Sequence, residues 1–173
     1  MSIYLNSLEF KLKSAEYHKE KCLEALNKLI LFETDESRLV AISSEFTAMM
    51  LVFQSCVDIV GQYINSKRRL GMSPNTLYFS NIKDSTSTRL DDLQTAINEL
   101  HKESRYVFSY CNTIKHRNLI HLSDQWIFVS PFLPVQCFYV DSFKKYPKQE
   151  LWDLLNRTFK NMTNKINVLV SQV

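Results

Sequence analysis

One apolar stripe constrains this chain more than any other feature. Leu39, Ile42, Phe46, Met49, Phe53, Val57, Val60 and Ile64 recur at three- and four-residue intervals, the spacing of one face of a helix. The chain holds only 2 glycines and 4 prolines among 173 residues. So few breakers favour long uninterrupted helices over a many-stranded sandwich. The same stretch, Phe46 to Ile64, is the most apolar in the sequence, yet it contains Gln54, Asp58 and Gln62. A charge inside a membrane span is costly, so the stretch reads as a core helix and no membrane association is expected. Asp58 lies well off the stripe, which predicts a solvent-facing or ion-paired carboxylate.

Other segments supply the partners for that helix. From about Ile3 to Phe32, Leu5, Leu12, Lys19 and Leu26 share one heptad position, and Leu8, Ala15, Cys22 and Leu29 share the other. A turn at Phe32–Ser37, with Thr34 or Asp35 as its cap, joins this helix to the next, which runs to about Ser66. So short a connection makes the two an antiparallel hairpin. Ser66 to Ser87 is the longest loop, with room for a short irregular helix. Further helices are predicted over Thr88–His101 and Ser104–Ile120, separate or continuous. Trp126 to Val140 carries two β-prone runs around Pro131 and Pro134. Pro147 suits a first helical position. Leu151, Leu155, Phe159, Met162, Ile166 and Leu169 mark the last helix.

The predicted fold is therefore all-α: a four- or five-helix bundle with a short β-hairpin-like insertion before the last helix, forming one domain over residues 1–173. A chain of this length buries a sizeable core without disulfides or metal staples. Cys22, Cys56, Cys111 and Cys137 form no C-x-x-C pair, and the first three fall on apolar helical faces, the pattern of buried free thiols. The N-terminal residues lack the apolar run of a signal peptide, so a cytoplasmic protein is expected. The large apolar side chains of Trp126–Val140 lead us to expect a homodimer covering part of that segment.

A net charge of +3 is too small to imply nucleic-acid binding by bulk electrostatics. Chemistry, if present, is local. Cys111, His116 and His121 lie on different faces of a helix, so no metal site or cofactor is expected. His18 and His101 stand alone and read as surface residues. The segment with chemical content is Cys111–His121. On a helix, Val107, Cys111 and Ile114 mark the buried face, Asn118 falls at its middle, and Lys115 and His121 flank it. Arg117 and His121 are then neighbours four residues apart. An arginine presents a fork of donors to a phosphate, and a histidine exchanges a proton near neutrality. Basic residues in a last helical turn also complement the helix dipole, which is the plainer account of the same residues.

A helical bundle with Arg117-Asn118…His121 near a helix end resembles the HEPN superfamily, with the histidine here one residue closer to the arginine than in the family's ribonuclease members. The resemblance implies a metal-independent cleavage of RNA that leaves a cyclic phosphate. Arg117 would bind the scissile phosphate and His121 would transfer a proton, both as catalytic residues. Asn118 would help to orient them, and Lys115 and Asn118 are the candidate substrate-binding residues. It also implies a dimer and a prokaryotic toxin or defence role, with an antitoxin as protein partner. The alternative is a non-catalytic helical interaction protein of antitoxin, immunity or adaptor type.

Overall fold

The computed structural model describes residues 2–27, 36–117, 120–130 and 133–173, with backbone alone at 117, 128–130 and 133–134. Four long helices make the body: α1 (Ile3–Asn27), α2 (Glu36–Arg68), α4 (Gln94–Arg117) and α5 (Leu151–Gln172), with a short α3 (Phe79–Lys83) in the loop after α2. Before the last helix lies a three-stranded antiparallel sheet of β1 (Leu122–Ser130), β2 (Leu133–Val140) and β3 (Gln149–Glu150), in that order. The fold is the all-α bundle with a β-hairpin insertion that the stripes predict.

The stripes are buried as their spacing requires. Ile42, Phe46, Met49, Phe53, Val57, Val60 and Ile64 of α2 are fully buried, while Leu39 is partly so. By length and composition α2 is apolar enough to cross a bilayer, but here it packs against α1, α3, α4 and α5. Leu8, Ala15 and Cys22 carry the α1 seam. Lys19 occupies a heptad position by laying its ammonium 4.7 Å from the centre of the Phe159 ring, where the cation meets the ring's negative face. Leu29, Thr34 and Asp35 lie outside the described residues.

Three boundaries differ from the sequence expectation. The third and fourth helices are continuous, as the sequence allowed, but the joined helix α4 starts at Gln94 rather than near Thr88, which lies in a 3-10 turn at Thr88–Leu90. α5 starts at Leu151 rather than near Pro147, because the Glu150 carboxylate accepts the Trp152 and Asp153 N–H groups at 3.0 and 2.7 Å and caps the helix there. The described part of α4 ends at Arg117, and Ile120, the expected end of the helix, is not helical. The sheet explains this: Leu122 pairs with Val140, and the His121 carbonyl accepts the Asp141 N–H at 3.1 Å. Backbone already committed to a ladder cannot continue a helix.

The hairpin is fastened to the helices through Arg38, which is buried. Its Nε donates to the Ala25 carbonyl at 2.8 Å and its Nη2 to the Leu26 carbonyl at 2.6 Å, both in the last turn of α1. Nη1 donates to Gln136 Oε1 on β2 at 2.7 Å, and Gln136 in turn donates to Asp124 on β1 at 2.7 Å. The guanidinium lies 4.8 Å from the centre of the Phe138 ring. Among the described residues α1 has no basic residue in its last turn, and Arg38 places a charge there that complements its dipole. Replacing Arg38 by Ala would leave those carbonyls and Gln136 without their donor. We expect a loss of about 3 kcal/mol of unfolding free energy. Arg38→Lys should recover only part of it, because one ammonium cannot span the three acceptors. Urea titration followed by circular dichroism checks this; a loss under about 0.5 kcal/mol would refute it.

Candidate functional site

Helix α4 has two faces. Leu100, Val107, Tyr110 and Cys111 are buried in the core. At about 100° per residue, His101, Arg105, Phe108, Ser109, Asn112 and Lys115 fall on a separate stripe. That stripe lines a cleft of about 600 Å³. Across from it stand Gln54, Ser55 and Asp58 of α2, which share one side of that helix. Tyr78, Phe79 and Ser80 at the start of α3 and the pair Lys145–Tyr146 after β2 complete the wall. Two polar stripes facing each other do not close as an apolar seam does, since each polar group keeps its water or needs a partner.

Local sequence places each wall. Gly61 on α2 lets α3 come close, for a Cβ there would lie 3.4 Å from Phe79 Cα. The loop leading to α3 is clamped by Asn65, whose amide donates to the Met72 carbonyl at 2.8 Å and accepts the Met72 N–H at 3.1 Å. On the far side, Tyr146 packs edge-on against Tyr106 with ring centres 4.9 Å apart, and Phe143 joins the cluster. The phenol of Tyr106 is buried without a hydrogen-bond partner among the described residues, and burial pushes it well above the ordinary tyrosine value, so it is a neutral structural ring at any working pH.

The electrostatics of the cleft are mixed. Lys115 Nζ donates to Gln54 Oε1 at 2.9 Å, bridging the two helices at the surface. Asp58 is half-buried, contrary to the solvent-facing or ion-paired side chain expected from its angle on the wheel. Its Oδ1 is shielded from water and has no partner. Burial raises its carboxyl above the ordinary aspartate value, although the Phe79 N–H and the charge of Lys115 pull the other way. His101, expected on the surface, is partly buried in the cleft, and burial, reinforced by the Lys83 and Arg105 charges, lowers its imidazole. His18 is not isolated either, since it bonds Glu45 at 2.7 Å.

Of the residues singled out by sequence, Lys115 lines the cleft. Arg117 is the last residue of α4, and its side chain, like Asn118, lies outside the described residues. His121 is exposed and sits beyond the helix, so the helical spacing that made it a neighbour of Arg117 does not apply. Among the described residues no cluster of histidine, cysteine and acidic side chains is arranged to hold a metal. Burial pushes the thiols of Cys22, Cys56 and Cys111 up to about 12, which leaves them inert. The cleft residues Gln54, Asp58, His101, Arg105, Asn112 and Lys145 were not assigned to a site from sequence. The polar stripe from His101 to Lys115 was the signal available.

Comparison with family models, with curated proteins and with solved structures returns no match for this chain.

The Asp58 carboxyl gives the cleft a pH signature. Its folded value lies above its unfolded one, so the fold favours the protonated form. The stability it contributes is complete below the unfolded value and is lost as pH rises through the folded value. Asp58→Asn keeps an acceptor for the Phe79 N–H without the charge. The variant should be more stable than wild type at pH 8, and the difference should vanish at pH values below the ordinary aspartate range. Urea titrations at the two extremes test the sign; a variant less stable than wild type at pH 8 would show that the ionised carboxylate is favoured.

Proposed function

We propose that the protein binds RNA in the cleft between α2 and α4 and acts as a HEPN-like, metal-independent ribonuclease at the Arg117 end of α4. One observation carries the binding half of this reading: Arg105, Lys115 and Lys145 ring a concave site that also presents the rings of Tyr78, Phe108 and Tyr146. Cations take phosphates, and aromatic rings stack on bases that have left a helix. The cleavage half rests on the Arg117-Asn118…His121 element. In that step His121 would take the proton of a ribose 2′-hydroxyl, the freed oxygen would attack the adjacent phosphorus, and the 5′-oxygen would leave with a proton taken from water. The products are a cyclic phosphate and a 5′-hydroxyl end. Arg117 would hold the phosphate, with Lys115 and Asn118 on the neighbouring strand. A cytoplasmic toxin or defence role, countered by an antitoxin, belongs to the same proposal.

A second reading, a non-catalytic interaction protein, is favoured by the hairpin. Ile127 and Val135 face each other across β1 and β2 and are 43% and 40% exposed, while Trp126, 37% exposed, lies on the opposite face of the sheet. Such a patch suits a second copy of the chain or another protein.

Incubating purified protein with labelled RNA, with and without a chelator, separates the two. Cleavage is expected to survive the chelator and to leave cyclic phosphate ends. His121→Ala should lower the rate at least about 100-fold, a typical loss for a proton-transfer group. Arg117→Ala should weaken both binding and turnover, and His116→Ala should leave the rate unchanged. RNA that stays intact with wild type, or His121→Ala cleaving at the wild-type rate, removes the nuclease and leaves the interaction protein.

A further inference from the structure

Two hollows open side by side and share a wall. The cleft of about 600 Å³ and a second hollow of about 380 Å³ next to α5 are both lined by Arg105, Lys145 and Tyr146. These three residues form the saddle between them. The second hollow adds Lys102 and Arg157, while Lys115 belongs to the first. Cations therefore occur in both hollows and at the saddle. None of the five makes an ion pair among the described residues. The carboxylates lining the hollows are Asp58 and Glu103. Glu103 is engaged by the Asn161 amide at 3.0 Å, and Asp58 is half-buried beside the Phe79 N–H. Unpaired cations held along one groove repel each other, and a chain of anions laid along them relieves that repulsion.

We propose that this double groove is a track for single-stranded RNA, with one phosphate seated at the saddle on Arg105 and Lys145 and bases turned into the hollows on either side. The inference rests on the RNA-binding reading and specifies the form of RNA. An A-form duplex presents a wide, shallow minor groove and a convex backbone, and its bases are already stacked. It can touch the rim of a concave site but cannot fill it. An unpaired strand bends, lays its phosphates on separate cations and offers ring faces to Tyr78 at the outer lip and Tyr146 at the saddle. Tyr78 is 64% exposed, so its ring is available for stacking without rearrangement.

The test measures fluorescence anisotropy of a short labelled RNA, as a single strand and as a blunt duplex of the same sequence, with wild type, Arg105→Ala/Lys145→Ala and Lys13→Ala. Arg105 and Lys145 are exposed and form no ion pair, Arg105 donating only to the Lys102 carbonyl at 3.4 Å and Lys145 lying 5.7 Å from the centre of the Tyr146 ring, so the double variant should keep the wild-type melting curve. Lys13 lies on α1, paired with Glu9, and serves as the charge control. The single strand is expected to bind at least about tenfold tighter than the duplex, and the double variant to lose at least about tenfold in affinity together with part of the salt dependence. Lys13→Ala should bind like wild type. Duplex bound as tightly as single strand, or a double variant that binds like wild type, overturns the track while RNA binding stands. Absence of binding to either RNA at low salt overturns the RNA reading and the track with it.

Discussion

A guanidinium taken out of water has to recover the hydrogen bonds that water gave it, and Arg38 recovers them from two other elements, α1 and β2. Removing an ion from water costs several kcal/mol, which is offset only when geometry and partners are good. Here each of its three nitrogens donates, two to carbonyls at the end of α1 and one to Gln136 on β2. The bond from Gln136 to Asp124 extends the network to β1, and the Phe138 ring covers the cation. Closing the α1–α2 hairpin and docking the β-hairpin are thereby made interdependent, since neither alone satisfies the charge. The position of β1 then decides where α4 must end, because the ladder claims the chain from Leu122 onward.

The rest of the bundle follows from which helix faces are apolar enough to close. α1 against α2 is an apolar seam, shut along Leu8, Ala15 and Cys22. α2 against α4 is apolar at its core and polar at its outer edge, so it opens into a cleft there. Asp58 marks the boundary: it is deep enough to lose water but has only the Phe79 N–H and the distant charge of Lys115 in compensation. Well-paired carboxylates stabilise a fold, whereas one left in this condition is more often kept for what it faces.

What was legible in the sequence was whatever depended on apolar periodicity. The α2 and α5 stripes, the heptads of α1 as far as Leu26 and the buried faces of Val107 and Cys111 are recovered, because burial of a stripe is the strongest term and leaves a regular trace. The hairpin was legible from β-branched and aromatic runs around the prolines. The end of α4 was not, because no glycine or proline marks it and the signal lies in strand pairing with residues some twenty positions on. Asp58 was misplaced because a wheel shows the angle from one stripe but not the second helix that covers the other side. Arg38 looks like any charge at the start of a helix until the fold brings β2 to it.

An Arg and a His four residues apart occur twice along this stretch, and the structure treats the two cases differently. One helical turn brings such a pair together. At Arg117 and His121 the helical spacing does not apply, because His121 lies beyond the helix. It applies without change to His101 and Arg105, which lie on α4 within the helix and line the same cleft. Burial and the adjoining cations favour a neutral imidazole at His101. A neutral imidazole accepts a hydrogen bond, while the guanidinium beside it only donates. The pair therefore offers one acceptor and a fork of donors to the cleft. The spacing rule was sound; what sequence alone could not supply was which of its two occurrences lay on a continuous helix facing open space.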